Sequence, residues 1–242
     1  MELLLDVGNT NLRWAQHRHG FLSEIHQVTH YRGLPIDLHA AWEQLEPPQR
    51  VLISNVAGPT LGEALVRACR SYWGLTAELV HTQVESHGVR TAYVRPENLG
   101  VDRWLALIGA HGAFPGSSLI IDAGTAVTFD VLLPDGRHLG GLILPGIEMM
   151  RDSLLSGTHI ARVEADPSAA PWAVDTAPAV AAGSIQAVGA LVDRLHQRLM
   201  AQAGKQTQIL LTGGDAERIH PIIDAEVTLV PDLVLQGLAR LV

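Results

Sequence analysis

The sequence predicts an α/β protein of two lobes built on one plan, each a mixed sheet flanked by helices. An Asp-x-Gly turn followed by a threonine occurs twice, each time at the end of a short apolar run. Leu3-Leu4-Leu5 leads into Asp6-Val7-Gly8-Asn9-Thr10, and Leu119-Ile120-Ile121 leads into Asp122-Ala123-Gly124-Thr125. The order of elements after each turn also repeats: a strand into the turn, two more strands, then helix, strand and helix. A chain of 242 residues, 47% of them hydrophobic, is long enough to give each lobe its own core.

In the first half, residues 2–6 read as a buried strand. Candidate strands at 11–17 and 21–28 follow, separated by a turn at His19-Gly20. Residues 37–46 have helical spacing, with Leu38, Ala41, Trp42 and Leu45 on one face and Pro47-Pro48 as the stop. Val51-Leu52-Ile53 is a short strand. The spacing predicts a helix over 59–73, with proline near its start and Gly74 just past its end. A strand at 78–81, an irregular stretch over 82–100 and a helix at 101–113 complete this half. Pro115-Gly116-Ser117-Ser118 reads as a linker, which sets the lobes at 1–115 and 116–242.

The second half opens with a strand at 118–122, then strands at about 126–133 and 137–143 around Pro134-Asp135-Gly136. A helix at roughly 146–155, a loop over 157–173 and a long helix at roughly 175–201 follow. A strand at 208–211 ends in Thr212-Gly213-Gly214-Asp215, and a last helix follows Pro231.

Composition narrows the function classes. The formal net charge of −8 argues against a nucleic-acid surface, which needs a basic patch. No apolar run is long enough to span a bilayer, and the N-terminus carries Glu2 in place of a basic leader. The single cysteine, Cys69, allows no intrachain disulfide and reads as a small core residue, so a cytoplasmic protein is expected. Lys205 is the one lysine. P-loop and Schiff-base chemistry therefore have almost no residue to use, and the G-x-x-x-x-G-K-[ST] and G-x-G-x-x-G motifs are missing. Of the twelve histidines, His17 and His19 lie closest together, and none has zinc-site spacing with the cysteine.

Each Asp-x-Gly turn delivers a carboxylate where glycine permits close approach of the backbone to a ligand. Two such turns would grip a polyphosphate and its metal, since hard cations such as magnesium take oxygen ligands and use only one or two carboxylates. Gly100-Val101-Asp102-Arg103 opens a helix. Its local sequence alone reads Asp102 as a helix-stabilising acid with Arg103 as a surface partner; the alternative is a general base for phosphoryl transfer. Gly140-Gly141, Pro145-Gly146 and Thr212-Gly213-Gly214 flank apolar strands. The last of these would let a flat base or ribose lie against the backbone.

Taken together, these motifs resemble type III pantothenate kinases from the first strand nearly to the C-terminus. The Asp-x-Gly turns alone would indicate only the wider superfamily of acetate and sugar kinases, heat-shock chaperones and actin. The resemblance implies two ribonuclease H-like, actin-like ATPase lobes with a cleft between them, and transfer of phosphate from ATP to pantothenate, the first step of coenzyme A synthesis. It implies that Asp6, Val7, Gly8, Asn9, Thr10, Asn11, Leu12 and Arg13 form the first ATP phosphate loop and that Thr125 touches ATP. Asp102 would be the proton acceptor. Gly100, Val101, Asp102 and Arg103 would line the pantothenate site with Tyr93 and Thr176. Asp122 would hold potassium or ammonium, with Mg2+ accompanying ATP. A homodimer is also implied. Arg13 stands where the family often has lysine, so phosphate would meet a planar fork instead of a point charge. An actin-like ATP-binding regulator without a small-molecule substrate, or a phosphatase of the same superfamily, would share both turns.

Overall fold

The computed structural model describes residues 1–31, 33–162, 172–204 and 206–242. Lys205 and most of the predicted 157–173 loop lie outside them. The chain divides into two compact units, Met1–Ala113 with Asp232–Val242, and Phe114–Pro231.

The first unit runs β1 (Glu2–Val7), β2 (Asn11–Arg18), β3 (Phe21–Leu22), β4 (His26–Thr29), α1 (Ile36–Glu43), β5 (Arg50–Asn55), α2 (Pro59–Trp73), β6 (Glu78–Leu79), β7 (Glu85–Ser86), β8 (Val89–Arg90) and α3 (Val101–Ala113). Its sheet has the order β3-β2-β1-β5-β6, with β4 also paired to β2. Strand β2 is antiparallel to β1, whereas β5 and β6 are parallel to it. Leu3, Leu5 and Val7 point to one face, against Trp42, Leu61 and Leu65 of α1 and α2. Leu4, on the other face, is equally buried, so the β1 run is apolar on both sides.

The second unit runs β9 (Ser117–Ala123), β10 (Ala126–Leu132), β11 (His138–Pro145), α4 (Ile147–Ser156), α5 (Thr176–Ala203), β12 (Thr207–Thr212), α6 (Ala216–Ile219) and β13 (Val227–Leu229). The sheet order is β11-β10-β9-β12-β13. Strand for strand this matches the first unit, including the antiparallel β9–β10 pair and the parallel β9–β12 and β12–β13 pairs. Ile121, Val127 and Phe129 pack with Ile185, Val188 and Val192 of α5 to form its core.

The structure redraws several boundaries. The 21–28 strand is split, because Ser23 satisfies Gln16 from both its main chain and its hydroxyl and so ends the ladder. Helix α1 stops at Glu43, before the prolines, in a tightened last turn. Ser117 and Ser118, read as linker, begin β9 and are buried; Gln208 donates to the Ser118 hydroxyl at 3.0 Å. The irregular 82–100 stretch contains the β7–β8 hairpin, turned by His87 and Gly88 at positive φ. Helix α6 and strand β13 carry too little periodicity to be seen in the sequence.

The last helix, α7 (Leu233–Ala239), belongs with the first unit and not the second, where the 116–242 lobe would put it. It packs on α3 and β1. The contact is backbone to backbone: a Cβ on Gly237 would lie 2.0 Å from the Leu105 carbonyl oxygen, and one on Gly109 would lie 2.6 Å from that of Leu233. Gly237→Ala therefore has to push the helices apart and is expected to cost about 1–3 kcal/mol in urea unfolding. A midpoint equal to wild type would show that the approach is not needed.

Candidate active site

In the first unit Asp6 sits one residue before the end of β1. Its neighbours across the sheet are Arg13 on β2 and Ser54 on β5, so all three side chains share a face. The turn is closed by Gly8 N–H donating to the Asn11 carbonyl at 3.0 Å, and Asn9 and Thr10 are exposed at its tip. Val7 and Leu12 point into the core, so only their main chain can meet a ligand.

Asp102 lies in the first turn of α3, where the helix dipole favours a carboxylate. Its Oδ1 accepts from the Arg103 amide at 2.8 Å. Asp6 senses it. Burial first, and then the Asp102 charge, push the Asp6 carboxyl up to about 6, against the opposing pull of Arg13 and Ser54. Ser54 faces Asp6 in register and weakly favours its charged form, but the geometry closes no hydrogen bond: Asp6 Oδ1 and the Ser54 hydroxyl are both buried with no partner at hydrogen-bonding geometry. An unsatisfied buried oxygen is costly, and in an active site it marks a place prepared for a ligand or cation.

Arg103 corrects the surface reading. It is only 6% exposed, its Nη1 donates to the Tyr93 hydroxyl at 3.0 Å, and its guanidinium carbon lies 5.7 Å from the Tyr93 ring centre. Tyr93 is held in turn by its amide donating to the Thr91 hydroxyl. Folding thus brings together Tyr93 and the Gly100–Arg103 turn. A depression of about 460 Å³ beside the Asp6–Thr10 turn is lined by Asn9 and the 56–61 segment, which the sequence reading passed over. Gly58-Pro59 at the start of α2 was the available signal.

In the second unit Asp122 holds the place of Asp6, flanked in register by Thr128 and Thr212. The turn is one residue shorter: Ala123 pairs with Val127, where Val7 pairs with Leu12. This puts Thr125 and Thr10 in equivalent positions, each just ahead of the second strand, and explains their different spacing from glycine. Two other glycine motifs press on this turn. Gly146 N–H donates to the Thr125 carbonyl at 3.0 Å, and a Cβ on Gly146 would lie 2.3 Å from the Gly124 oxygen. Gly213, at φ +95°, would put a Cβ 2.3 Å from the Ala123 oxygen. Both glycines are needed first for backbone packing. Gly214 beside them is open.

Glu148 and Asp215 each pair with Arg218, at 2.9 and 2.7 Å, which ties α4 to α6 behind the turn. Burial raises the Glu148 carboxyl, but Arg218 and Arg151 together outweigh it and hold it low. Gly140-Gly141 does not join this group: Gly141 pairs with Asp130, further along the sheet. Thr176 begins α5, exposed, with its amide capped by Asp175.

The remaining residues are structural. His17 pairs with Glu2, the His138–Asp130 pair is buried, and the Cys69 thiol is pushed by burial up to about 12, too high to react. Among the described residues no three His, Cys, Asp or Glu side chains gather into a metal-binding group. The one-carboxylate sites at Asp6 and Asp122 suit a cation that keeps water or phosphate as its other ligands.

The family model for type III pantothenate kinase matches residues 2–198. The chain belongs to that family. It is 35% identical to the type III pantothenate kinase of Nitrosococcus oceani, over 99% of this chain and 93% of the relative. It is 39% identical to that of Azoarcus sp. strain BH72, over 99% and 89%. Among solved structures it resembles the activator of the 2-hydroxyisocaproyl-CoA dehydratase from Clostridium difficile with bound ADPNP. There the TM-score is 0.53 and the identity 13%, over 98% of this chain and 91% of that one. That likeness places the pantothenate kinase chain in the actin-like ATPase fold. Among the described residues no helix is long and apolar enough to cross a membrane.

Proposed function

We propose that the protein transfers the γ-phosphoryl group of ATP to the primary hydroxyl of pantothenate, giving 4′-phosphopantothenate and ADP at the entry to coenzyme A synthesis. The observation that carries this reading is the grouping, in one unit of a type III pantothenate kinase chain, of Asp102 with Asp6, Arg103 and Tyr93. Phosphoryl transfer asks the protein chiefly for alignment and charge neutralisation. Residues 6–13 supply main-chain amides and the Arg13 fork to the phosphates, and Thr125 contacts the nucleotide from the second turn. Asp102 accepts the hydroxyl proton as the oxygen attacks phosphorus. The buried Arg103 charge and the Tyr93 ring hold the anionic acceptor, with Thr176 as a further contact. Magnesium bound with ATP, and potassium or ammonium at Asp122, would add positive charge where the phosphates gather. The protein acts as a cytoplasmic homodimer.

Release of ADP, followed by a coupled assay with and without pantothenate, first in potassium and then in sodium, tests this. Pantothenate-dependent release, faster in potassium, is expected. Release that ignores pantothenate would point to a phosphatase or an ATP-binding regulator.

A further inference from the structure

His30, just past β4, is absent from every motif above, yet it holds both sides of the first phosphate turn. Its amide donates to the Thr10 carbonyl at 3.0 Å, and its Nε2 lies 2.7 Å from the Gly8 carbonyl oxygen. A carbonyl only accepts, so Nε2 must carry the proton. The residue is 4% exposed. In a trans peptide the C=O and the following N–H point in opposite directions. Drawing the Gly8 oxygen inward therefore turns the Asn9 amide outward, toward the exposed tip where Asn9 and Thr10 stand. Outward amides are what an anionic phosphate needs.

The second turn shows the same task done without a side chain. There the residue equivalent to His30 is Gly146, whose amide donates to Thr125 as that of His30 does to Thr10. A Cβ on Gly146 would collide with Gly124, so backbone contact fills the space that the imidazole occupies in the first turn. The longer first turn needs a brace and the shorter one does not.

We infer that His30 is the positioning residue of the first phosphate turn, setting the peptide that follows Gly8 so that its amide faces the nucleotide. This rests on the reading of residues 6–13 as the ATP site. His30→Leu, His30→Gln and His30→Asn in the full chain test it. Leucine removes the donor, glutamine restores an N–H at similar reach, and asparagine falls short. Loss of one buried hydrogen bond corresponds to a rise of about ten-fold in KM for ATP for His30→Leu, with kcat and KM for pantothenate within about two-fold of wild type. His30→Gln should recover most of the affinity. Equilibrium binding of a non-hydrolysable ATP analogue reads the same step without turnover. A wild type that binds the analogue but releases no ADP with pantothenate would refute the proposed reaction and leave His30 testable. A Leu variant that binds nucleotide like wild type, or a Gln variant no better than Leu, overturns the inference. If the Leu protein does not fold, equal affinity of the Gln and Asn proteins overturns it.

Discussion

Asp102→Asn is expected to lose about 10²–10⁴ of kcat while folding normally and still binding ATP, because a general base contributes a factor of that size. Asparagine keeps an Oδ1, so the 2.8 Å bond from the Arg103 amide survives. The helix loses a favourable charge worth about 0.3–1 kcal/mol. It also loses the repulsion between Asp102 and Asp6. These changes oppose each other, so the melting temperature should barely move. Turnover by the coupled ADP assay and thermal unfolding, measured on one preparation, separate catalysis from stability. Wild-type turnover in the folded variant would remove Asp102 from the reaction.

Asp6→Asn should do the unusual thing of stabilising the protein as it removes function. The native carboxyl titrates near 6 against an ordinary value of 3.8. Between those values the folded chain holds a proton that the unfolded chain has released, so stability falls as pH rises from about 4 to 6. Above that window the ionised group costs about 3 kcal/mol at most, some 2 units at 1.36 each. Asparagine carries no such charge. The variant should therefore be more stable than wild type at pH 8 by up to about that amount, with the gain vanishing near pH 4. In the wild type, kcat/KM for ATP should fall below about pH 6, a limb that reports protonation of the Asp6 carboxyl. Denaturant unfolding of both proteins at pH 4 and pH 8 decides the matter. An equal difference at the two values, or none at pH 8, would mean that the half-buried carboxylate is not strained.

The two Asp-x-Gly turns and helix α2 with its Gly74 stop were legible because each is local: an apolar run fixes the strand, and glycine or proline marks its end. The hairpin turn at His19-Gly20 was legible for the same reason, yet the identical dipeptide at His87-Gly88 passed unnoticed. Its strands are two residues long and show no alternation. Ser117-Ser118 misled because serine reads as loop, and only the partner strand shows that Gln208 satisfies a hydroxyl inside the sheet.

By itself, then, the sequence determined the duplicated α/β plan, the family and the candidate residues, since periodicity and short motifs are properties of neighbours along the chain. Tertiary structure alone decided that Arg103 is buried against Tyr93, that α7 returns to the first unit, that burial and then Asp102 raise the Asp6 carboxyl, and that His30 braces a turn some twenty residues away. Each of these depends on burial and on distance in space. Contacts between residues far apart in the chain leave no periodic trace in it.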